Sequence, residues 1–423
     1  MLDWVQQFKS QFGDAVTTDM TALAIQGVEP ACACAPESES QAAAMIRFAA
    51  AHRIPVVPYG GGSSQGRCAP PPRDFLWLST SRLNKLVHHE PGDMVATVQA
   101  GAMFGAFQGE LCERGQWLPL EARFSTVGGL VAANGHGPLA SGYGTLRDMV
   151  LGMTVINGDG VIRKCGGKVV KNVTGYALDK LYISSFGTLG LITEVTFKLT
   201  PLSPDGDFLY AMLPDILTGV KALLKLAKKN LPVEMLQISI RTKAEGPILF
   251  ICANGPMPEL KRIRQELAQT VDLEFKENFF ELRANSYSRE LCVFINRDWY
   301  SYHGAGKAFF EYREPRTQGA TLRFGCTHSS LEAAVRVINT RETELLSIGM
   351  TGGIIDLTPL TDSEAARIAS EFEKLGVNFA FENIVGVNIP NRWGTPRPEW
   401  AIMKQIKAAL DPQGIMNPGR FVV

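Results

Sequence analysis

The chain has 423 residues, and its 42 Lys and Arg residues balance its 42 Asp and Glu residues, so the formal net charge is zero. Domains usually hold about 100–200 residues, so this length predicts two or three of them. A hydrophobic content of 45% with 20% charged residues is typical of globular domains with large cores. The balanced charge argues against a nucleic-acid-binding protein.

The sequence shows neither an export signal nor a membrane span. Its first residues lack the basic start and apolar run of a secretory signal, and no stretch approaches the roughly 18 apolar residues of a spanning helix. The eight cysteines include no C-x-x-C pair, so the spacings of zinc and iron–sulfur sites are absent. We therefore expect a cytoplasmic protein with reduced thiols and no metal, attached to the inner membrane only through partners.

The first half of the chain alternates short strands with glycine-rich turns. A helical lead-in over residues 1–25 precedes a helix that begins at Ser38, where Ser38 and Gln41 form a capping-box pattern. The sequence Asn157-Gly158-Asp159-Gly160 between two apolar runs predicts a β-hairpin, with strands over 150–156 and 161–165. The other elements predicted in this half are strands over 54–58, 75–78, 95–100 and 195–199 and a helix over 103–114.

The second half, after Pro201 and Pro204, contains two units in which strands and helices alternate. Each has a β-α-β order with added strands, as in ferredoxin-like sheets. A proline-rich loop over 387–399 then precedes a terminal helix over 400–410. The first unit comprises strand 208–213, helix 215–230, strands 233–239 and 248–253 and helix 258–271. The second comprises strand 320–324, helix 330–345, strand 353–358, helix 362–375 and strand 377–382.

A glycine loop, Tyr59-Gly60-Gly61-Gly62-Ser63-Ser64-Gln65-Gly66, follows the strand over 54–58. Backbone N–H groups in such a loop can approach a phosphate closely. The loop misses the Rossmann spacing by one residue and lacks the Lys of the Walker A motif. It matches the G-x-S-x-G motif of hydrolases, but three prolines follow at 70–72, where that motif needs a helix. A plain turn without a ligand stays open as the alternative.

Two more glycine clusters follow along the chain. One runs from Ser125-Thr126-Val127-Gly128-Gly129 to Tyr143-Gly144 and Arg147-Asp148, and the other is Ser185-Phe186-Gly187-Thr188-Leu189-Gly190-Leu191-Ile192-Thr193. Between them lies Lys171-Asn172-Val173-Thr174-Gly175-Tyr176. Three clusters indicate a long ligand that touches the backbone in several places, and a dinucleotide is long enough.

The order of these motifs resembles the FAD-binding domain of the vanillyl-alcohol-oxidase or PCMH family. The ending LDPQGIMNPGRF is similar to the C-terminal signature of its 2-hydroxy-acid members. KVVKNVTGYALDKL with SSFGTLGLITEV most resembles the smaller of the FAD-binding subunits of bacterial glycolate oxidase. The resemblance implies an α+β fold. It places the lead-in at 1–25, a PCMH-type FAD-binding domain at 26–204, a ferredoxin-like cap domain with a duplicated β-α-β unit at 205–395, and a C-terminal helix and tail at 396–423 that return to the FAD-binding domain.

The resemblance also implies which residues hold FAD. The loop residues Gly60, Gly61, Gly62, Ser63 and Ser64 would bind the pyrophosphate. Thr126, Gly128 and Gly129 would run toward the ribityl chain or ring, with Gly135 and Gly142 allowing close packing. Gly187, Leu189, Gly190 and Ile192 would lie at the adenine end, and Asn417 and Gly419 would return the tail to this domain. The remaining implied cofactor residues are Pro58, Tyr59, Gly66, Pro119, Ser125, Val127, Tyr143, Gly144 and Arg147. For Arg147 with Asp148, an ion pair that fixes the loop is the preferred interpretation.

The sequence departs from the family at two places. No histidine lies between Tyr59 and Arg67 to tether FAD, so we expect non-covalent FAD. The chain also lacks the histidine-rich segment of the catalytic 2-hydroxy-acid dehydrogenases, and its second half holds only His303 and His328. Removing a proton and a hydride needs a base, and an Arg often clamps the carboxylate. The candidates are His328 as the base and Arg323, Arg392 or Arg420 as the clamp.

Three functions are therefore compatible with the sequence. The first is the FAD-binding subunit of a glycolate oxidase complex, which oxidises glycolate to glyoxylate with a second flavin subunit and an iron–sulfur subunit. The second is a stand-alone FAD-dependent dehydrogenase for D-lactate or another D-2-hydroxy acid. The third is a flavin-binding scaffold subunit without turnover of its own. The scarcity of histidine in the second half favours the first and the third.

Overall fold

The computed structural model describes residues 2–17, 24–120, 125–135, 137–168, 176–203, 205–240, 246–277, 318–338 and 346–422. The motif residues 171–175, Cys292 and His303 lie outside these ranges. The chain divides into two compact units. Unit 1 comprises Met1–His136, Thr145–Pro201 and Arg397–Val423, and unit 2 comprises Gly137–Gly144 and Leu202–Pro396.

Unit 1 begins with a four-stranded sheet that contains the strand before the glycine loop. Its elements are helices α1 Asp3–Phe12 and α2 Glu39–Ala51 and strands β1 Val16–Thr17, β2 Cys32–Cys34, β3 Val56–Tyr59 and β4 Leu76–Ser79. The strand order is β1-β2-β4-β3, and both β2 and β3 run parallel to β4. Ser38 caps α2, as predicted, by accepting a hydrogen bond from the N–H of Gln41 at 3.2 Å. The predicted lead-in helix is shorter than expected, because α1 ends at Phe12 and Gly13 follows with φ of 54°.

A five-stranded antiparallel sheet forms the other half of unit 1, in the order β5-β6-β10-β8-β9. Its strands and the neighbouring elements are β5 Leu86–Glu90, β6 Val95–Gln99, α3 Phe104–Cys112, β7 Gln116–Trp117, α4 Val127–Ala132, α6 Leu146–Met149, β8 Val150–Ile156, β9 Ile162–Gly166, α7 Asp179–Tyr182, β10 Leu191–Lys198, β11 Thr200–Pro201 and, near the C-terminus, α12 Glu399–Leu410. The predicted hairpin is confirmed, because β8 and β9 pair antiparallel with Ile156 opposite Ile162.

Unit 2 is built on one eight-stranded sheet, in the order β15-β12-β14-β13-β17-β18-β16-β19. Its elements are α5 Ala140–Tyr143, β12 Gly206–Met212, α8 Ile216–Ala227, β13 Met235–Ile240, β14 Pro247–Asn254, α9 Met257–Thr270, β15 Lys276–Glu277, β16 Gly319–Gly325, α10 His328–Ile338, β17 Leu346–Gly349, β18 Gly352–Leu357, α11 Asp362–Lys374 and β19 Asn378–Val385. Alternate strand residues pack in one core with the apolar faces of α8 to α11. The predicted α+β class is confirmed.

The sequence analysis missed two strands of this sheet, the two-residue β15 and the four-residue β17. It predicted a helix over 330–345, whereas the helix described here is His328–Ile338 and a strand already begins at Leu346. That strand, β17, pairs with both β13 and β18 and so joins the two halves of the sheet. A four-residue strand with only two large apolar residues gives too short an alternation to be recognised in the sequence.

Candidate functional site

The glycine loop follows directly from β3, and its backbone comes so close to neighbouring atoms that side chains would not fit. Gly62 has φ of +83°, and a Cβ atom there would collide with the hydroxyl of Tyr59. The Tyr59 ring is itself held against Trp77, with 3.9 Å between the ring centroids. A Cβ atom on Gly60 would collide with the side chain of Thr126. The glycines therefore keep open a space that any other residue would fill.

The second glycine cluster supplies the neighbouring wall. Thr126 caps α4, where its hydroxyl accepts a hydrogen bond from the N–H of Gly129 at 3.3 Å. The hydroxyls of Ser63 and Ser125 lie 3.1 Å apart and join the two clusters. A Cβ atom on Gly128 would lie 2.6 Å from the Cβ of Ala100, so α4 packs against the chain after β6 as closely as glycine allows.

The third cluster is fixed by a buried asparagine. Asn157 has no exposed surface, and its side-chain amide donates to the carbonyl of Leu189 at 2.8 Å and to the hydroxyl of Tyr182 at 2.9 Å. Gly187 has φ of +72°, and a Cβ atom there would lie 3.0 Å from the ring of Pro58. The turn before β10 is thereby held beside the strand that enters the glycine loop.

These three segments meet at one cleft in unit 1, which opens to solvent; the empty space beside its lining residues, open solvent included, is about 670 Å³. The predicted cofactor residues that line it are Pro58, Tyr59, Gly60, Gly61, Gly62, Ser63, Ser64, Gly128, Gly129, Gly187, Gly190, Ile192 and Asn417. The residues that the sequence analysis did not select are Gln65, Cys68, Thr80, Ala132, Ala133, Phe186 and Leu191. Several of these are small or apolar residues that flank the motif glycines, and that position is the only signal that could have identified them.

Other predicted residues lie behind the lining or elsewhere. Those outside the lining are Gly66, Pro119, Ser125, Thr126, Val127, Gly135, Gly142, Tyr143, Gly144, Arg147 and Leu189. Gly142 and Tyr143 belong to unit 2, where the N–H of Gly142 donates to the carbonyl of Glu234 at 3.1 Å and the hydroxyl of Tyr143 accepts from Asn254 at 3.2 Å. Their role in FAD binding stays a prediction.

Arg147 and Asp148 do not pair with each other, so the preferred interpretation of an ion pair is wrong. Arg147 donates to the carbonyl of Lys180 at 3.0 Å. Asp148 accepts from the N–H and the hydroxyl of Thr145, both at 2.8 Å. The hydrogen bond from the Thr145 backbone is the main cause that lowers the pKa of Asp148. Both residues still fix the loop, Arg147 through the backbone of Lys180 and Asp148 by capping its own helix, α6, at Thr145.

Three of the four catalytic candidates, Arg323, His328 and Arg392, lie in unit 2, and Arg420 lies in unit 1. Arg323 on β16 is engaged by the carboxylate of Glu382, with Nε 3.0 Å from Oε1. His328 is the exposed first residue of α10. Arg392 donates from Nε to the carbonyl of Phe381 at 3.3 Å and lies 5.5 Å from the centre of the Trp393 ring. Their catalytic roles stay predictions, whereas Arg420, with 0% exposure, has no surface to offer a substrate.

Neither a metal centre nor a membrane span is found among the described residues. No group of three or more His, Cys, Asp or Glu side chains there could hold a metal ion. No described helix has the length and apolar character needed to cross a membrane.

The glycine loop is followed by a short 3-10 turn over Gln65–Arg67 rather than by an α-helix, so the hydrolase motif lacks the context it requires.

The described residues fit an extended nucleotide that carries phosphate. Glycines from three segments line one cleft, and the hydroxyl-bearing residues Ser63 and Ser64 line it beside them. Cβ atoms at Gly60 and Gly62 would collide with the side chains of Thr126 and Tyr59, so the loop conformation requires glycines there. Glycine loops with exposed backbone N–H groups favour the binding of anions.

Comparison with known proteins agrees with this geometry. Residues 30–166 match the family described as FAD binding domain, and residues 394–421 match the family described as FAD linked oxidases, C-terminal domain. The chain is 27% identical to D-lactate dehydrogenase of Archaeoglobus fulgidus, over 92% of this chain and 90% of that protein. It is 25% identical to glycolate oxidase subunit GlcD of Bacillus subtilis, over 93% and 89%. Crystalline p-cresol methylhydroxylase shares the fold, with a TM-score of 0.72 and 18% identity over 99% of this chain and 96% of that one.

Proposed function

We propose that this chain, which belongs to the FAD-linked oxidoreductases that carry the FAD binding domain, is the FAD-binding subunit of a glycolate oxidase complex. In this proposal the complex oxidises glycolate to glyoxylate and passes electrons from FAD to an iron–sulfur partner. A second flavin subunit completes it. The motif resemblance to the smaller FAD-binding subunit of bacterial glycolate oxidase and the similarity to GlcD support this role.

The observation that carries the proposal is the convergence of three glycine segments on one cleft within unit 1. The loop over 60–64 would hold the pyrophosphate, and the turn over 187–192 would lie at the adenine end. When bound, FAD would accept two electrons from the carbon that bears the substrate hydroxyl. The chain's own contribution is to hold the cofactor without reorganising, because Asn157, Thr126 and the Ser63–Ser125 contact fix the walls beforehand.

The ion pair between Arg323 and Glu382 supports the role of a subunit rather than that of an independent enzyme. Its guanidinium is already engaged by the nearly fully buried Glu382, so its capacity to clamp a substrate carboxylate is reduced. The second candidate, a stand-alone D-lactate dehydrogenase, is favoured by the relative from Archaeoglobus fulgidus, which matches almost end to end. The third candidate, a flavin-binding scaffold without turnover of its own, would have the same FAD cleft.

Anaerobic flavin spectroscopy tests these candidates on the purified full chain. We expect a yellow protein whose flavin is released by acid, since no histidine stands in the glycine loop to tether it. Glycolate should bleach the flavin only after the two partner subunits are added. Bleaching of the isolated chain by D-lactate would instead establish the stand-alone dehydrogenase, and a bound flavin that never bleaches would establish the scaffold. A colourless chain that takes up no added FAD would overturn all three.

A further inference from the structure

The C-terminal tail pairs with the strand that enters the cleft, and its residue Asn417 lines the cleft. The N–H of Val56 donates to the carbonyl of Ile415 at 2.8 Å, and the N–H of Asn417 donates to the carbonyl of Val56 at 2.7 Å. The Asn417 side chain donates to the carbonyl of Phe186 at 2.6 Å. The tail thus connects β3 with the third glycine cluster, although the two are far apart in sequence.

A second anchor fixes the same tail to the turn before β10. The ammonium of Lys407 donates to the carbonyl of Thr188 at 2.6 Å and to that of Met416 at 2.7 Å. Its partner Asp411, which is 2% exposed, accepts from the N–H of Met416 at 2.8 Å. The ion pair therefore sets the path of the tail before it reaches Asn417.

Arg420 provides the third anchor, and it binds both ends of the segment that closes the glycine loop. The guanidinium is 0% exposed. Its Nε donates to the carbonyl of Ala69 at 2.7 Å, and Nη2 donates to the backbone carbonyl of Gln65 at 2.8 Å. Nη1 donates to the side-chain oxygen of Gln65 and, at 3.3 Å, to that of Asn417. A planar fork with five donors suits this set of acceptors, whereas a lysine ammonium does not.

Gln65 carries the effect of Arg420 into the cleft. Because the side-chain oxygen of Gln65 faces Arg420, its amide nitrogen faces the other way and donates to the carbonyl of Pro58 at 3.1 Å. The Gln65 N–H donates to the carbonyl of Gly62, also at 3.1 Å. These bonds close the loop from Pro58 to Gln65 into a ring, and Gln65 itself lines the cleft.

We infer that Arg420 is a positioning residue for FAD, which acts through Gln65 to hold the glycine loop in its binding conformation. Loop glycines lose more conformational freedom on ordering than other residues do. A loop that is already ordered spares the cofactor that cost, so its affinity is higher. Gln65 and Arg420 should accordingly behave as one unit toward FAD. The inference rests on FAD binding but not on the identity of the substrate.

A double-mutant cycle on FAD affinity tests this inference. The variants are Arg420→Gln, Gln65→Met and the double variant, and FAD is titrated into each apoprotein while the quenching of flavin fluorescence is followed. We expect each single change to weaken binding by about tenfold and the double change to add little, as for residues that act together. Arg420→Lys should not restore the affinity, because one ammonium cannot serve acceptors on both sides of the loop.

The matched control is Arg264→Gln in unit 2, where the guanidinium donates twice to Asp207 at 2.7 and 2.6 Å. It removes a comparable arginine contact without touching the cleft, so its FAD affinity should equal that of the wild type. Equal affinities for Arg420→Gln and Arg264→Gln would overturn the inference, and so would single effects that simply add. Should Arg420→Gln fail to fold, unchanged affinity in Gln65→Met would overturn it as well.

Discussion

Arg323 and Glu382 form a two-point ion pair across the neighbouring strands β16 and β19, with nitrogen–oxygen distances of 3.0 and 3.3 Å. Only 2% of Glu382 is exposed, whereas 27% of the Arg323 side chain is. A carboxylate this deeply buried is costly unless a cation and hydrogen bonds compensate it. The pair is therefore structural in the first place, whatever else Arg323 does.

Loss of the arginine alone should destabilise unit 2 strongly. Arg323→Gln would leave Glu382 buried without its cation, at a cost of about 3–5 kcal/mol in the free energy of unfolding. Replacing both partners by apolar residues, as in Arg323→Met with Glu382→Leu, should recover most of that loss. Chemical denaturation followed by circular dichroism measures both changes. A single variant as stable as the wild type would contradict the prediction, and turnover by a folded double variant would remove Arg323 from the list of substrate clamps.

A methyl group in the glycine loop should abolish tight FAD binding without unfolding the protein. In Gly62→Ala the new Cβ atom would collide with the Tyr59 hydroxyl, and φ of +83° adds strain. Gly115→Ala is the matched control, because Gly115 also has a positive φ, +68°, but open space around its Cβ position. Both should lose about 1–2 kcal/mol of stability from the left-handed backbone.

Only Gly62→Ala should also weaken FAD binding, by more than about tenfold, because Gly62 and the Tyr59 that it would displace line the cleft and Gly115 does not. Fluorescence titration of the two apoproteins with FAD measures the difference. Equal affinities for the two alanine variants would show that the loop near Gly62 does not contact the cofactor.

The glycine motifs of the sequence mark the segments that meet at the cleft, because glycine marks places where backbone must come close to another group. It could not predict the polar side chains that hold those segments, since their partners are distant in sequence. Asn157 was interpreted as a turn residue of the hairpin, yet its buried amide holds Leu189. Nothing in the sequence distinguished Gln65 from its neighbours in the glycine loop. Its inferred role in holding the loop depends on a hydrogen bond from Arg420, 355 residues further along the chain.

Gly142, which the resemblance assigned to the cofactor, shows a second reason for a glycine. A Cβ atom at Gly142 would collide with the Cα of Glu234, so this glycine allows α5 to pack against the residue before β13. A glycine needed for close packing and a glycine needed for a ligand look the same in a sequence. Only the neighbouring atoms distinguish the two.

The contact between α5 and Glu234 predicts a pH dependence of stability. The carbonyl of Glu234 accepts from the N–H of Gly142 and, at 2.8 Å, from the hydroxyl of Ser141, and its carboxylate accepts from the N–H of Asn254 at 2.7 Å. The pKa of this carboxyl is raised from 4.5 to about 7, mainly by burial and to a smaller extent by the charge of Glu259, against hydrogen bonds from the backbone N–H groups of Glu234 itself and Asn254. The folded state thus holds a proton that the unfolded state releases at lower pH.

The contribution of this proton to stability is fully present below pH 4.5 and is lost as the pH rises through about 7. Glu234→Gln cannot ionise, yet its side-chain oxygen can still accept from Asn254. The variant should therefore match the wild type near pH 5 and unfold at a higher temperature than the wild type at pH 8, in thermal melts followed by circular dichroism. Glu259→Gln is the companion variant, and it should move the decline of the wild-type curve to lower pH. A Glu234→Gln curve that keeps the same offset from the wild type at both pH values would show that Glu234 does not titrate in this range.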